Sequence, residues 1–465
     1  MMEYLILTAG ILLVISLFSI RLSKKIRVPL LIMFLLVGIL AGSEGVGGIY
    51  FDDASLAQNL GNFALMFILF SGALETKIED VKRAICPSGL LATIGVLLTA
   101  LLAGGFTYLL TDFGAVESLL FGAIVSSTDA AAVMSMLGGS NLKKDIKTVI
   151  EIESGSNDPM AYALILFILN IVKLGEFSFF HGILFLIMQI LVGGILGIAF
   201  GKITIKLGNL LQIEREEFLT IHVIAMLFIT FSLTNILRGN GFLAIYIMGI
   251  LIGNQKFNFR LNTLRNMRVI SWLMQISMFI LLGLLVFPSE LKKYMLIGSV
   301  LAILITIVSR MIVVYLLMYK FKFTNKEKFF IGWAGLKGAV PIIFSTIAIT
   351  EGLKNSQTIF NLVFYIVVFS VLIQGMSLKP LAKFLNLTIE GDDTEIKEID
   401  IDELEELAIK RLYIREDSPY RNKSIKELNL PKSMHIIAIR RNNEEIIPNG
   451  DVILRKGDKL LISGL

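Results

Sequence analysis

The chain has 465 residues, of which 55% are hydrophobic and only 17% are charged, with a formal net charge of +5. Soluble domains average roughly 45–50% apolar and about 25% charged residues. The composition excludes a water-soluble protein, a disordered chain and a collagen, and the single cysteine, Cys86, excludes an internal disulfide. We therefore expect a polytopic membrane protein.

Thirteen apolar segments can serve as membrane spans, given that a helix needs about 20 residues to cross ~30 Å of hydrocarbon. They lie near residues 3–20, 28–41, 56–74, 84–110, 116–138, 147–171, 182–205, 217–237, 240–253, 267–287, 294–319, 328–350 and 357–378. One set of alternate loops carries 23 Lys and Arg residues and the other set only five. Because basic loops stay in the cytoplasm, this predicts a multi-pass protein of the cell (cytoplasmic) membrane, with its N-terminus outside and its C-terminal tail cytoplasmic.

Two of these spans are interrupted by polar or glycine-rich sequence. Span 5 contains Ser126-Ser127-Thr128-Asp129, and span 12 contains the stretch 335–341, Gly-Leu-Lys-Gly-Ala-Val-Pro. Spans 1–6 and 8–13 would be two units in opposite orientation, and broken helices at matching positions of inverted repeats indicate a binding site. The alternative is that the glycines only allow close helix packing.

Six charged residues within the spans are candidates for a functional role, because a charge inside a span costs about 2.5–3.5 kcal/mol on insertion scales. They are Asp129 in span 5, Glu151, Glu153 and Asp158 in span 6, Arg310 in span 11 and Lys337 in span 12. With a helix rise of 1.5 Å per residue, four of them lie about 14–16 Å from the cytoplasmic side. Asp129, Asp158, Arg310 and Lys337 are therefore expected to converge near the middle of the membrane.

Asp158 is the strongest candidate to bind an ion within the membrane. A carboxylate at that depth can bind a proton or a small cation, and the two states exclude each other. Oxygen atoms of Ser154, Asn157 and Thr128, with Asp129 nearby, would complete an alkali-cation site at Asp158, Ser154 and Thr128, because hard cations prefer oxygen ligands. The alternative for Asp158 is a hydrogen bond between helices.

The other buried charges are interpreted as supports. Glu153 and Arg310 carry opposite charges at similar depth, so we predict an ion pair between them. Lys337 is expected to offset the negative end of a half-helix, and Asp129 to cap a positive one. A purely structural role is favoured for these supporting charges.

After span 13 the composition changes abruptly. Residues 390–465 carry 13 Lys and Arg against 17 Asp and Glu, and ten of these acids lie within 390–407. From residue 408 the pattern is α/β, with strands predicted at 408–414, 434–439 and 459–462 and a short helix at 424–428. About 55 residues are few for an independent core, so two tails are expected to dimerise. Three basic residues of the tail are candidates to bind an anionic nucleotide: Arg411, Arg440 and Arg441. The alternative is that each of them only forms part of the solvent-exposed surface.

The polar segments resemble those of a known family. Residues 153–158, Glu-Ser-Gly-Ser-Asn-Asp, resemble the E-S-x-x-N-D segment of the monovalent cation:proton antiporters of the first type, relatives of the sodium/proton exchangers. Thr128-Asp129 resembles the T-D of their broken fifth helix, residues 335–341 resemble their G-L-R-G-A-V-P, and Arg310 matches the arginine of the preceding span. The tail is similar to the C-terminal half of RCK domains, the regulators of potassium conductance.

The resemblance implies an all-α polytopic membrane protein of about 13 transmembrane helices, with two inverted six-helix repeats, crossed broken helices and a small cytosolic α/β tail. It also implies a homodimer in which a core domain carries ions past a dimerisation domain. Asp158 would carry the ion, Thr128, Ser154 and Asn157 would help bind it, and Glu153 and Arg310 would form a bridge. Lys337 departs from the family's arginine, and the two are not interchangeable in bidentate contacts.

Potassium is the expected cation, because RCK-type tails accompany potassium transport more than sodium transport. Asn157 in place of a second aspartate resembles the electroneutral branch, which exchanges one cation per proton. The predicted domains are an antiporter domain at 1–385, an acidic linker at 386–407 and a regulatory domain at 408–465 that ends directly after a strand. The resemblance also implies a regulatory nucleotide at the tail, cyclic di-AMP or a similar one.

Three other functions are alternatives to potassium/proton antiport. A sodium/proton antiporter fits the spans equally well. A ligand-gated potassium channel is disfavoured because the sequence has no T-V-G-Y-G-like filter. An intramembrane aspartyl protease using Asp129 and Asp158 is disfavoured because Gly-Asp occurs only after the spans. We therefore expect a transporter rather than an enzyme, with no cofactor, and no nucleic-acid partner because the basic charge lies between apolar runs.

Overall fold

The computed structural model describes residues 2–26, 28–137, 142–174, 179–211, 216–255, 260–388, 410–414, 418, 420–428, 435–441 and 444–463. The chain divides into two compact units, Met1–Ile389 and Glu390–Leu465. The acidic run 390–407 lies outside the described residues, so the predicted linker stays a prediction.

The first unit is helical. Its helices are α1 (Met2–Ile26), α2 (Leu30–Ala41), α3 (Ala54–Glu75), α4 (Ile78–Leu90), α5 (Val96–Leu110), α6 (Ala115–Ile124), α7 (Ala130–Leu137), α8 (Lys144–Leu174), α9 (Phe179–Leu210), α10 (Glu216–Ile236), α11 (Gly241–Gly253), α12 (Arg260–Leu284), α13 (Pro288–Leu291), α14 (Met295–Ile303), α15 (Arg310–Leu317), α16 (Asn325–Trp333), α17 (Ala339–Thr350), α18 (Ser356–Ser370) and α19 (Met376–Phe384). Single π-helical turns join α4 to α5, α14 to α15 and α18 to α19.

The helices have the length and composition of a membrane domain. Within the described ranges, nine continuous helical segments are long and apolar enough to cross a bilayer, and α2, α6, α11 and α17 are shorter apolar helices. In α1 and α9 only 17% of the apolar window is buried. These outward apolar faces suit contact with lipid, in which every backbone group must be satisfied within the helix. The protein is thus a mostly helical, multi-pass membrane protein.

Several helices extend beyond the predicted spans. The sequence predicted a span from residue 84, but α4 begins at Ile78, and α8 begins at Lys144 rather than 147. The extra turns carry charged residues such as Glu79 and Lys82, which are exposed. The helices can extend past the apolar segments because long charged side chains at a helix end keep their charged groups in water.

Both predicted interruptions are present as breaks between half-helices. α6 ends at Ile124 and α7 begins at Ala130, while α16 ends at Trp333 and α17 begins at Ala339. The two breaks meet, because the backbone N–H of Asp129 donates to the carbonyl of Leu336 at 2.8 Å. A Cβ on Gly338 would lie 2.1 Å from the Asp129 Oδ2 atom, so only glycine allows this approach.

Pro159 does not interrupt its helix. A proline normally loosens a helix because it removes one backbone donor, yet α8 runs continuously from Lys144 to Leu174. The Asn240 side chain donates to the Pro159 carbonyl at 2.6 Å. Packing and polar neighbours often tolerate proline within membrane helices in this way.

The second unit contains a four-stranded antiparallel sheet in the order β1-β4-β2-β3. Its strands are β1 (Lys410–Tyr413), β2 (His435–Arg441), β3 (Glu444–Ile446) and β4 (Lys459–Ser463). The strands predicted at 408–414, 434–439 and 459–462 overlap β1, β2 and β4, although residues 408, 409 and 434 lie outside the described residues. The sequence did not indicate β3.

An ion pair organises this sheet. The Arg441 guanidinium donates to both oxygens of Asp458 at 2.8 Å, and Asp458 is fully buried. Burial works to raise the pKa of Asp458, but the hydrogen bonds from Arg441 and the Arg455 backbone hold that pKa below its usual range. Of the three arginines predicted to meet a nucleotide, Arg441 is engaged in this pair, Arg440 is exposed, and the side chain of Arg411 lies outside the described residues.

Candidate cation- and proton-binding site

One helix face carries most of the candidate residues. Glu153, Ser154, Asn157 and Asp158 are spaced so that they share a side of α8. That side faces the break between α6 and α7, where Thr128 lies. The charged and polar groups predicted to converge do so around this break.

Hydrogen bonds clamp the break of the fifth span to α8. The Ser154 hydroxyl donates to the Thr128 carbonyl at 2.9 Å and accepts from the Ala130 N–H at 2.9 Å. The Asn157 amide donates to the Thr128 hydroxyl at 2.5 Å. A hydroxyl has one donor and two acceptor positions, so both Ser154 and Thr128 keep capacity for a ligand while they hold the chain in place.

Three buried oxygen atoms beside this clamp make no hydrogen bond of good geometry, although the Ser127 side chain lies near the Asp158 carboxylate. They are Asp158 Oδ1, Asn157 Oδ1 and Ser127 Oγ. Asp158 is only 6% exposed and Asn157 only 1%. An unsatisfied buried polar atom costs about 1–3 kcal/mol, and more if it is charged. A carboxylate, an amide oxygen and a hydroxyl can be satisfied by a proton on Asp158 or by a hard cation.

Asp129 and Lys337 stabilise the ends of the half-helices. The Asp129 Oδ1 atom accepts from the Ala132 N–H at 2.9 Å, so this carboxylate caps the N-terminus of α7. The Lys337 side chain is fully buried and donates to the Ser127 carbonyl at 3.0 Å. It thereby offsets the negative end of α6.

Glu153 and Arg310 form an ion pair next to the site. Arg310 Nη2 lies 2.6 Å from Glu153 Oε1, and their side chains are only 4% and 3% exposed. The pair joins α8 to α15 inside the helical unit. Because the pair is buried, it differs from solvent-exposed ion pairs, which contribute little to the free energy of unfolding.

A cavity of about 730 Å³ leads to Asp158 from the side that carries the basic loops. Its mouth is lined by charged residues and its inner end by Asp129, Ser154 and Asp158. The mouth residues are Glu75, Lys77, Asp80, Lys144, Lys147 and Glu151. Because the mouth residues Lys144 and Lys147 are more than half exposed, water and ions have access to Asp158 from this side.

The sequence did not single out two groups at this cavity. Tyr246 on α11 and Gln275 on α12 form part of the wall facing the site. Neither belongs to a local motif, and an isolated polar residue in an apolar span has no signal that separates it from packing. Ser127 was within the predicted break, but its unpartnered hydroxyl could be recognised only from the structure.

The chain matches two protein families and several known antiporters. Residues 11–384 match the family described as sodium/hydrogen exchanger, transmembrane, and residues 409–465 match the TrkA-C domain. The chain is 36% identical over 463 residues to the K(+)/H(+) antiporter NhaP2 of Shewanella oneidensis, covering 98% of this chain and 80% of that protein. It is 32% identical over 462 residues to the K(+)/H(+) antiporter NhaP of Alkalimonas amylolytica, covering 98% and 80%.

Two further similar proteins, one by sequence and one by fold, carry sodium in their names. The Na(+)/H(+) antiporter NhaP of Pseudomonas aeruginosa is 29% identical over 345 residues, covering 68% of this chain and 78% of that protein. The fold is similar to that of the sodium proton antiporter MjNhaP1 of Methanocaldococcus jannaschii, with a TM-score of 0.73 at 23% identity, covering 83% of this chain and 99% of that one. The chain therefore belongs to the sodium/hydrogen exchanger family and carries a C-terminal TrkA-C domain.

Proposed function

We propose that the protein exchanges potassium ions for protons across the cytoplasmic membrane without net charge transfer. The observation that carries this proposal is the unpartnered carboxylate oxygen of Asp158 at the inner end of a cavity, beside the unpartnered oxygens of Asn157 and Ser127. A proton and a cation satisfy the same atoms, so they compete for Asp158.

Exchange follows from this competition. A bare carboxylate is expensive to move through a low-dielectric interior, so the empty, charged site is held back from crossing. The site loaded with a proton or with a cation has lost that penalty. Each loaded form can then expose the binding site to the other side of the membrane. The transporter therefore carries a cation in one direction and a proton in the other.

One cation per proton is the stoichiometry that the buried charges favour. Glu153 is balanced by Arg310 at 2.6 Å. Asp129 acts as a helix cap and Lys337 neutralises a half-helix end. Asn157 adds a neutral oxygen, which leaves Asp158 as the single titrating carrier.

Potassium is favoured by the names of the relatives that align over nearly the whole chain and by the type of domain at the tail. The relatives named as K(+)/H(+) antiporters align with 98% of this chain, whereas the Na(+)/H(+) antiporter of P. aeruginosa aligns with 68%. The TrkA-C tail agrees with the predicted association with potassium. Sodium/proton antiport is the second candidate, because that relative and the similar structure carry sodium in their names.

The membrane arrangement is proposed as thirteen crossings with the N-terminus outside and the tail in the cytoplasm. In the part of the chain that the structure describes, nine long apolar segments and four shorter apolar helices support this number. The basic loops support the orientation. The breaks α6–α7 and α16–α17 support inverted repeats of six spans each. By analogy with the family, we propose a homodimer in which the broken helices and α8 move against a dimerisation scaffold.

The tail is proposed to regulate transport, with antiporter, linker and regulatory domains at 1–385, 386–407 and 408–465. Contacts at the end of the helical unit support a coupling. The Lys143 N–H donates to the Leu387 carbonyl at 3.0 Å, and Leu142 pairs with Thr388 in an isolated β-bridge. The chain leading to the tail is thus attached directly before α8, the helix that carries Asp158. A nucleotide such as cyclic di-AMP, bound by two tails, is the proposed effector.

The experiment that tests this function measures proton movement in proteoliposomes as a function of cation and pH. We expect an outward K⁺ gradient to drive proton uptake, and added K⁺ to lower the apparent proton affinity competitively. Na⁺ and an impermeant cation serve as comparisons at equal ionic strength. K⁺-independent proton flux, or a K⁺ effect only on the maximal rate, would contradict competition at one site. A response to Na⁺ alone would favour the second candidate.

A further inference from the structure

A tyrosine in the cavity wall has a hydroxyl without a hydrogen-bond partner. Tyr246 lies on α11, is only 5% exposed and lines the cavity that leads to Asp158. Its hydroxyl oxygen is buried and makes no hydrogen bond of good geometry, although the side chains of Thr76 and Ser156 lie near it. Buried tyrosine hydroxyls usually find a partner because leaving one unsatisfied costs stability. The clamp around Thr128 does not use this group.

The tyrosine ring lies against α8 at a glycine one turn before Asp158. A Cβ on Gly155 would be 2.2 Å from Cε2 of Tyr246 and 2.4 Å from its hydroxyl oxygen. Real Cβ atoms do not come this close to ring carbons, because the contact lies inside the optimal separation of about 3.5–4.0 Å. Gly155 therefore leaves room for the ring and brings the hydroxyl next to the face that carries the ion site.

The tyrosine belongs to the wall and not to the clamp. α11 packs chiefly against α3, α9 and α10, and touches α8 over a smaller area. The clamp is built from α6, α7 and α8 residues. A rearrangement that moves α8 relative to α11 would carry Asp158 away from Tyr246.

We propose that the Tyr246 hydroxyl is a further cation-binding group, which contacts the ion or its water while the site faces the basic side. This inference rests on the proposed antiport at Asp158. A phenol supplies a neutral oxygen, the ligand type that hard cations accept. It therefore raises affinity without adding a titrating charge, and the exchange ratio does not change. The hydroxyl stays with the wall when the site faces the opposite side.

The test compares Tyr246→Phe with wild type in proteoliposomes of known orientation. For K⁺ presented at the basic side, we expect the half-saturating concentration to rise by about 3- to 10-fold, the effect of losing one neutral oxygen partner. The maximal rate and the half-saturating concentration at the opposite side should stay within about twofold. A purely structural role would lower the melting temperature and the rate in both directions.

A matched control removes a hydroxyl elsewhere in the helical unit. Tyr294 bonds to Thr358 at 3.1 Å and is not a residue of the cavity wall. Tyr294→Phe should leave half-saturation unchanged at both sides. If this control and wild type exchange K⁺ normally while Tyr246→Phe shows no sided shift, the inference is wrong and the proposed antiport stands. If wild type itself does not exchange K⁺, the proposed function has failed.

A second variant tests the contact with Gly155. Gly155→Ala should displace the ring and slow transport, and Gly155→Ala combined with Tyr246→Ala should recover the rate but keep the raised half-saturation. A double variant as slow as Gly155→Ala would overturn the contact. If Tyr246→Phe does not fold, thermal stabilisation by K⁺ is measured for Gly155→Ala in detergent. The proposal is contradicted if the K⁺ concentration that gives half of the stabilisation is the same as in wild type.

Discussion

The buried ion pair between Glu153 and Arg310 offers a quantitative test of the site's support. The groups are 2.6 Å apart and their side chains are 3% and 4% exposed. Removing one partner of such a pair typically costs about 3–5 kcal/mol, because the other charge remains buried without compensation. The two single changes should not be equal. Lys337 lies close enough to both groups to sense their charges, so Glu153→Gln leaves two cations together and should cost more than Arg310→Gln.

The assay is a double-mutant cycle on unfolding in detergent. The variants are Glu153→Gln, Arg310→Gln and both together, which keep side-chain volume more nearly than alanine does. We expect the double variant to lose less stability than the sum of the single losses, with a coupling of about 0.5–3 kcal/mol. The control pair Lys173 and Glu351 is 2.9 Å apart but 59% and 32% exposed. Its loss should cost about 0–1 kcal/mol. Strictly additive losses for the buried pair, or equal losses for both pairs, would refute the reasoning.

Three further outcomes follow from the same structure. With Asp158 as the single carrier, an imposed membrane potential should leave the exchange rate at saturating K⁺ unchanged, and a clear voltage dependence measured in proteoliposomes would implicate a second group such as Asp129. Deleting residues 390–465 should alter the pH profile of transport, since the tail is proposed as a regulator; identical profiles for truncated and intact chains would contradict regulation. The pKa of Asp458 is lowered in the folded tail, so its stabilising contribution is complete above the ordinary aspartate pKa of about 3.9 and is lost as pH falls through the folded pKa. Relative to the Asp458→Asn variant, pepsin cleavage of the tail in the full-length protein should therefore increase as pH falls below about 4.

The charged and broken parts of the membrane domain were predictable because the bilayer penalises them. Charged residues near the middle of a membrane are rare and usually functional, so four such residues and two helix interruptions were enough to predict where the site would form. Glu153 and Arg310 could be paired from sign and depth alone. The distance between them is known only from the structure. The same is true of the contacts that Asp129 and Lys337 make at the ends of the half-helices.

Other features depend on packing that sequence periodicity does not contain. Pro159 removes one backbone donor from α8, but the helix is continuous in the structure, and the Pro159 carbonyl accepts a hydrogen bond from Asn240. Ser154 and Thr128 were predicted as ion ligands, and their hydrogen bonds to each other's segments could not be foreseen from spacing. Tyr246 lies about 90 residues from the motif it contacts, so only the fold brings it to Gly155.

The central claim is that Asp158 carries both ions, and its most direct test is exchange by reconstituted Asp158→Asn. The matched control is Asp145→Asn, which removes an exposed carboxylate from the first turn of the same helix. Both proteins should fold and reconstitute with similar yield, because amide and carboxylic acid have nearly the same shape. We predict K⁺-driven proton exchange at the wild-type rate in Asp145→Asn and none in Asp158→Asn. Exchange that survives in folded Asp158→Asn would contradict the account.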